Sequence, residues 1–236
     1  MYTFESRVRY SETDHRETMT LPAIVNYFQD CSTFQSEDLG VGIDYFREKQ
    51  QGWILFSWQI IIDRYPKMGE RIDISTWATG FDGLYGLRNF RMRDEKKETV
   101  AYANSVWVFM DMKKGRPVRP AAEDVEKYGL DEPLPMEYAS RKITLPKEAE
   151  TRKTFSVRRD QIDTNEHVNN CQYVQMALEV LEEEIPVRQL RVEYKKSAVY
   201  GSEILPKVAL EAERTVVELC DLNGKPYAVV ELTGEK

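Results

Sequence analysis

The run Asp163-Thr164-Asn165-Glu166-His167-Val168-Asn169-Asn170 is the densest cluster of short polar side chains in this chain of 236 residues. A neutral imidazole can orient or deprotonate water near neutral pH. A carboxamide can orient a nucleophile or donate to a carbonyl oxygen, and a carboxylate can hold either in place. In an extended segment residues two apart share a face, so Asp163, Asn165 and His167 are expected to project together. A helix starting near Asn169–Cys171 would add unpaired N–H groups and a positive dipole end for a developing oxyanion. One lost oxyanion donor typically costs about 3–4 kcal/mol of barrier lowering. Together these groups suit hydrolysis of an activated acyl group. Singly, each has a plainer use: Asp and Asn are ordinary turn and cap residues, so Asn169 or Asn170 could cap the helix, and a lone histidine is usually structural.

The elements that must carry these residues come in two similar sets. Val8, Arg9 and Asp14 recur as Val157, Arg158 and Asp163 at one offset, 157 − 8 = 149. After each set stands a polar stretch and then a helical pattern, from Leu21 to about Leu39 and from Asn170 to about Ile185. Apolar residues recur there at three- and four-residue steps: Ile24, Val25, Phe28 and Cys31 in the first, Cys171, Val174, Leu178, Leu181 and Ile185 in the second. Gly40 and Pro186 supply the stops. The period then changes to that of strands, with Trp53–Ile62, Arg71–Trp77, Gly86–Arg93 and Val100–Met110 in the first half. The second half repeats this as Gln189–Lys195, Glu203–Glu213, Thr215–Asp221 and Tyr227–Leu232, the last two around an Asn223-Gly224 turn. Gly69 and Gly201 correspond at 201 − 69 = 132, so the second copy is 149 − 132 = 17 residues shorter between its helix and its sheet.

Each half therefore reads as a strand, a long helix and four strands, an α+β arrangement in which an antiparallel sheet wraps one helix. The expected domains are residues 1–118 and 151–236. Between them, 119–150 reads as a linker rich in proline and charge, with a short helix near Ala121–Tyr128. The two copies are not equivalent. Opposite Asp163, Asn165 and His167 the first copy has Asp14, Arg16 and Thr18, so it keeps the carboxylate and lacks the amide and the imidazole. His15, the only other histidine, falls opposite Thr164 and reads as a turn or surface residue. This asymmetry favours one working site per chain.

Composition narrows the class further. Forty acidic against 33 basic residues give a net charge of -7, which argues against a general nucleic-acid binder. No apolar run approaches the roughly 18 residues of a membrane span. Cys31, Cys171 and Cys220 are scattered and match neither a disulfide framework nor a metal motif, so a reducing compartment without metal or cofactor is expected. The chain enters a strand pattern almost at once, without the apolar core of a signal peptide, so a cytoplasmic location is expected.

The Asp163-x-Asn165-x-His167-Val168-Asn169-Asn170 run, followed by a helix and then Leu190-Arg191-Val192-Glu193-Tyr194-Lys195-Lys196, resembles the signature of the acyl-acyl-carrier-protein thioesterases. Plant plastids and some bacteria use these enzymes to end fatty-acid synthesis, and the absence of a plastid transit segment before the first strand points to a bacterial-type member. The resemblance extends to the early strand, the first helix ending Ser36-Glu37-Asp38-Leu39-Gly40 and the segment from Trp58 to Trp77. It implies a double hot-dog fold, with the acyl chain held in the first half and catalysis in the second. It also implies that Asp163, Asn165 and His167 are the catalytic set. In plant members a Glu-Cys pair lies four and five residues after the Glu of the Glu-Tyr strand. Those positions here are Ser197 and Ala198, which excludes a cysteine nucleophile there and leaves Ser197 or Glu193 as candidate auxiliary groups. The favoured nucleophile is water, activated or oriented by His167 with Asn165, while Asp163 fixes Asn165. Cys171, on the apolar stripe, reads as core.

The resemblance further implies a long apolar slot and a docking surface for an acyl carrier protein bearing the substrate. Tyr27, Phe28, Trp53 and Leu55 are candidates to line the slot, although large residues at such spacing are ordinarily core. Arg158, Arg159, Lys195 and Lys196 are candidates to meet the acidic carrier, with further basic groups at Lys113-Lys114-Gly115-Arg116 and Arg119. Exposed sheet edges and the resemblance make a homodimer reasonable. Two other activities compete: hydrolysis of acyl-coenzyme A, and a non-catalytic or dehydratase-like hot-dog protein that binds acyl groups.

Overall fold

The computed structural model describes residues 1–234. The chain divides into two compact units, one of Met1–Phe56 with Ile60–Tyr138, the other of Ser57–Gln59 with the chain from Ala139 onward. In the first unit β1 (Tyr2–Arg7) precedes α1 (Leu21–Asp38) and the short α2 (Ile43–Lys49). The strands β2 (Gln51–Ile62), β3 (Arg71–Asp82), β4 (Tyr85–Asp94) and β5 (Thr99–Asp111) follow, then the two-residue β6 (Arg116–Pro117) and α3 (Ala122–Val125). The strand order is β1-β3-β4-β5-β2 with β6 on β5, and β1/β3, β3/β4 and β4/β5 pair antiparallel. Helix α1 lies against β1 and β3.

Local chemistry explains where α1 starts and stops. Thr20 caps it, its hydroxyl accepting the Ala23 N–H at 3.2 Å, and Pro22 sits in the first turn, where a missing N–H is harmless. The stripe Leu21, Ile24, Val25, Phe28 and Cys31 is buried as its spacing predicts. Phe28 meets Phe90 of β4 with ring centroids 5.4 Å apart. Gly40 ends the helix in a left-handed conformation, φ +67°. From there the Gly40 and Val41 N–H groups close back on the Glu37 and Ser36 carbonyls at 2.9 Å each.

The second unit contains β7 (Glu150–Thr151), β8 (Phe155–Ser156), α4 (Asn170–Glu179), β9 (Val187–Tyr194), β10 (Glu203–Leu210), β11 (Thr215–Cys220) and β12 (Pro226–Gly234). The order is β9-β12-β11-β10-β7 with β8 on β10, the pairs are antiparallel, and α4 lies on β11 and β12. This helix is only ten residues long and stops short of the expected Ile185. Glu179 and the run Glu182-Glu183-Glu184 place negative charge at the negative end of the helix dipole, with no basic residue in the last turn to offset it. The Asn223-Gly224 turn forms as expected: Gly224 has φ +78°, and the Asp221 carboxylate accepts the Asn223 and Lys225 N–H groups at 2.9 Å each.

Each unit thus sets one helix against an antiparallel sheet, giving the α+β double hot-dog fold. The duplication holds bond by bond. Val8 donates to Glu70 at 2.9 Å and accepts from Gly69 at 3.0 Å; Val157 donates to Ser202 and accepts from Gly201 at the same distances. In the connecting stretch, the short helix expected near Ala121–Tyr128 is α3 followed by a 3₁₀ turn, Glu126–Tyr128. Beyond it the buried Asn89 holds the chain on β4, its carboxamide oxygen accepting the Leu134 N–H at 2.9 Å and the Tyr138 hydroxyl at 3.0 Å.

Candidate active site

Residues 163–168 form a tight hairpin loop, not the extended segment that alternation suggests. Ile162 and Val168 pair antiparallel. Asp163 N–H donates to the His167 carbonyl at 2.8 Å and Glu166 N–H to the Asp163 carbonyl at 3.1 Å, with Glu166 at a positive φ of 61°. The Asp163 carboxylate turns into the loop and accepts the N–H groups of Asn165 at 2.8 Å and His167 at 3.3 Å. The three side chains therefore do not line up as alternate residues of a strand; one of them fixes the backbone of the other two. Asn165 and His167 are exposed, and among the described residues neither the carboxamide nor the imidazole is held by another group.

The first copy builds the same loop. Asp14 N–H donates to the Thr18 carbonyl at 2.9 Å, Glu17 N–H to the Asp14 carbonyl at 3.0 Å, and Glu17 has φ 60°. The Asp14 carboxylate accepts the Arg16 and Thr18 N–H groups at 2.9 and 3.1 Å. Burial pushes the Asp14 carboxyl upward, but these bonds from Thr18 and Arg16 outweigh it and hold the group below its ordinary value. The copies differ in what the next side chains do. Arg16 folds back on Asp14 at 3.0 and 3.1 Å, and the Thr18 hydroxyl donates to it at 3.1 Å. The corresponding Asn165 and His167 are left open to solvent.

The start of α4 is more fully bonded than its position suggests. Asn169 is the cap, its side-chain oxygen accepting the Cys171 N–H and its carbonyl the Gln172 N–H, both at 2.9 Å. The Val168 N–H donates to the Ala198 carbonyl and the Asn169 N–H to the Gln161 carbonyl, again at 2.9 Å. The expected oxyanion donors at this helix end are therefore largely engaged. Cys171 is 1% exposed and lies in the core, as its place on the stripe predicts.

The loop after β9 returns to the hairpin. The bond from Val168 to Ala198 brings Ser197-Ala198 alongside His167-Val168, and Ser197 is exposed there. Glu193 is placed differently. Its strand neighbour Tyr194 donates its hydroxyl to the Asn170 carbonyl at 3.0 Å, on the α4 side of the sheet. Glu193 faces the other side. It is 4% exposed, accepts the Ile143 N–H at 3.1 Å and pairs with Lys195. Of the two auxiliary candidates, then, Ser197 is brought to the hairpin and Glu193 is not. A side chain that the sequence did not single out also reaches this loop: Tyr173 of α4, whose hydroxyl accepts the Ala198 N–H at 2.8 Å.

The slot candidates fall into two groups within the first unit. Tyr27 and Phe28 are buried on α1, and the Tyr27 hydroxyl bonds to Ser6 at 2.9 Å and Glu12 at 3.0 Å. Trp53 and Leu55 share a face of β2. Trp53 packs on Phe81 and Phe109, centroids 5.7 and 4.9 Å away, and over Gly86, where a Cβ would come within 3.0 Å of the indole. Three of the four docking candidates already face a carboxylate: Arg158 lies 3.2 Å from Asp160, Lys196 2.5 Å from Asp221, and Lys195 pairs with Glu193. Arg159 has no carboxylate partner among the described residues and stands 4.6 Å from the ring centroid of the exposed Tyr200. No helix among the described residues is long and apolar enough to cross a membrane.

Residues 1–128 match the sequence model of the acyl-ACP thioesterase N-terminal domain, and residues 144–223 match that of the acyl-ACP thioesterase C-terminal domain. A palmitoyl-acyl carrier protein thioesterase, chloroplastic, from Cuphea hookeriana is 27% identical over 210 residues, which cover 80% of this chain and 50% of that protein. The chain spans about half the length of the first curated relatives it matches. Among solved structures, an acyl-ACP thioesterase from Bacteroides thetaiotaomicron is similar with a TM-score of 0.89 at 23% identity, over 99% of this chain and 97% of that one. A 12:0-ACP thioesterase from Umbellularia californica gives 0.85 at 17% identity, over 98% and 96%.

Proposed function

Because this chain belongs to the acyl-ACP thioesterase family, we propose that it hydrolyses the thioester of fatty acyl-acyl-carrier-protein, releasing the free fatty acid and ending chain growth. The observation that carries this reading is the open imidazole and carboxamide on a loop locked by Asp163, set where the duplicate loop has an engaged Arg16 and Thr18. His167 takes a proton from water as the water oxygen adds to the thioester carbonyl, and Asn165 donates its amide N–H to the oxyanion that forms. The carbon–sulfur bond then breaks, and the imidazolium returns its proton to the leaving thiolate. Water and thioester thereby become acid and thiol. Asp163 acts through the backbone it holds, and Ser197 is the auxiliary polar group beside His167.

In this reading the second domain, 151–236, carries the chemistry. The first, 1–118, takes the acyl chain against Tyr27, Phe28, Trp53 and Leu55, and 119–150 connects the two. The carrier protein docks through Arg159, with Arg158, Lys195 and Lys196 around it. A cytoplasmic location fits three cysteines that are buried and free. The test is release of free thiol from carrier-bound and coenzyme A-bound acyl groups of increasing length, assayed side by side. Faster turnover of the carrier-bound series is expected. Preference for the coenzyme A thioesters would move the substrate, and no thiol from either would overturn hydrolysis.

A further inference from the structure

We propose that Tyr173 is a positioning residue of this site, its buried hydroxyl orienting the Ser197-Ala198 peptide against His167. The inference rests on the hydrolytic reading above. Tyr173 is 2% exposed on α4. Its hydroxyl accepts the Ala198 N–H at 2.8 Å, and the carbonyl of Ala198 accepts the N–H of Val168, the residue after His167, at 2.9 Å. Two hydrogen bonds through one residue, Ala198, thus join the tyrosine to the hairpin. Tyr194 braces the ring edge-on, centroids 5.9 Å apart.

The duplicate shows that the fold does not require this hydroxyl. The matching bond exists there, Met19 N–H to the Pro66 carbonyl at 2.8 Å. At the two offsets, Tyr173 corresponds to Ile24 (173 − 149 = 24) and Ala198 to Pro66 (198 − 132 = 66). Proline has no N–H to satisfy, and Ile24 is fully buried without a polar atom. An apolar pair therefore suffices to build the loop. The costlier polar pair, a buried hydroxyl on a buried N–H, stands in the copy that bears Asn165 and His167. Packing against proline leaves a peptide plane free to tilt, whereas a directional bond fixes it. Burial pushes the Tyr173 hydroxyl up to about 12, opposed by the bond from Ala198 and reinforced by Tyr227 and then by the charge of Asp163, so it stays protonated.

The test is Tyr173→Phe alone and combined with Ala198→Pro, which restores the N–H-free arrangement of the first copy. Tyr173→Phe strands a buried N–H and is expected to lower the melting temperature; the double variant recovers it. If Tyr173 positions the site, kcat stays down by about tenfold or more in the double variant while KM changes by less than about twofold. The imidazole proton resonances of His167 also move; the chain has only two histidines, so they are assigned with His167→Ala. Recovery of both stability and wild-type kcat, with unmoved resonances, would reduce Tyr173 to a partner for one N–H and overturn the proposal. If the double variant does not fold, the resonances of Tyr173→Phe alone decide in the same way. Absence of hydrolysis in the wild-type chain would instead count against the thioesterase reading, and the resonances would still test the positioning.

Discussion

Asp14 and Asp163 hold their loops through the same acceptor atom and the same pair of N–H groups, so neither carboxylate by itself distinguishes the two loops. What distinguishes them is whether the side chains at the next two alternate positions are tied down. His167→Ala and Asn165→Ala are each expected to lower kcat by about tenfold or more. Both are exposed and unheld, so melting temperatures should be close to wild type, and near-normal turnover in both would remove them from the mechanism. Asp163→Ala differs in kind. It removes the acceptor for two N–H groups, so about 1–3 kcal/mol of stability is expected to go with the activity in urea titrations. Asp163→Asn keeps an acceptor oxygen and should retain most of that stability.

At the scale of elements, caps and turns make the scaffold's share measurable. Asn169→Ala removes the α4 cap and is expected to cost about 1 kcal/mol in urea unfolding. Asp14 gives a pH signature. Its folded-state pKa lies below the ordinary 3.8, so its contribution to stability is complete above that value and is lost as pH falls through the depressed one. Between about pH 4 and pH 2, Asp14→Asn should therefore lose less stability than wild type, read from melting temperatures at each pH. Elements set by local rules were legible beforehand: α1 from its stripe and Gly40, the strands from alternation, the β11–β12 hairpin from Asn223-Gly224. The early end of α4 was not, because Leu178, Leu181 and Ile185 keep the helical period through an acidic run that opposes the helix. The 163–168 loop looks extended in the sequence because an Asp that accepts from the second and fourth following N–H groups has the same two-residue spacing as a strand face. Glu193 could not be assigned to a side without the strand's neighbours, and Tyr173 reads as one more core aromatic until its partner 25 residues away is known.

Over the whole molecule, a net charge of -7 and local pairing both limit long-range attraction of an acidic partner. With Arg158, Lys195 and Lys196 each facing a carboxylate, kcat/KM on carrier-bound substrate is expected to fall only shallowly with added salt, and Arg159→Ala should flatten the dependence further. Measurement across about 50–200 mM salt checks this, and a steep slope surviving in Arg159→Ala would place docking elsewhere. The two-fold occurrence of one loop in a single polypeptide also has a practical use. A substitution tried at Asp14 reports what the architecture will bear, and under the hydrolytic reading its counterpart at Asp163 reports what the reaction demands in addition. The earlier loop is thus an internal blank, folded under identical conditions in every sample of the protein.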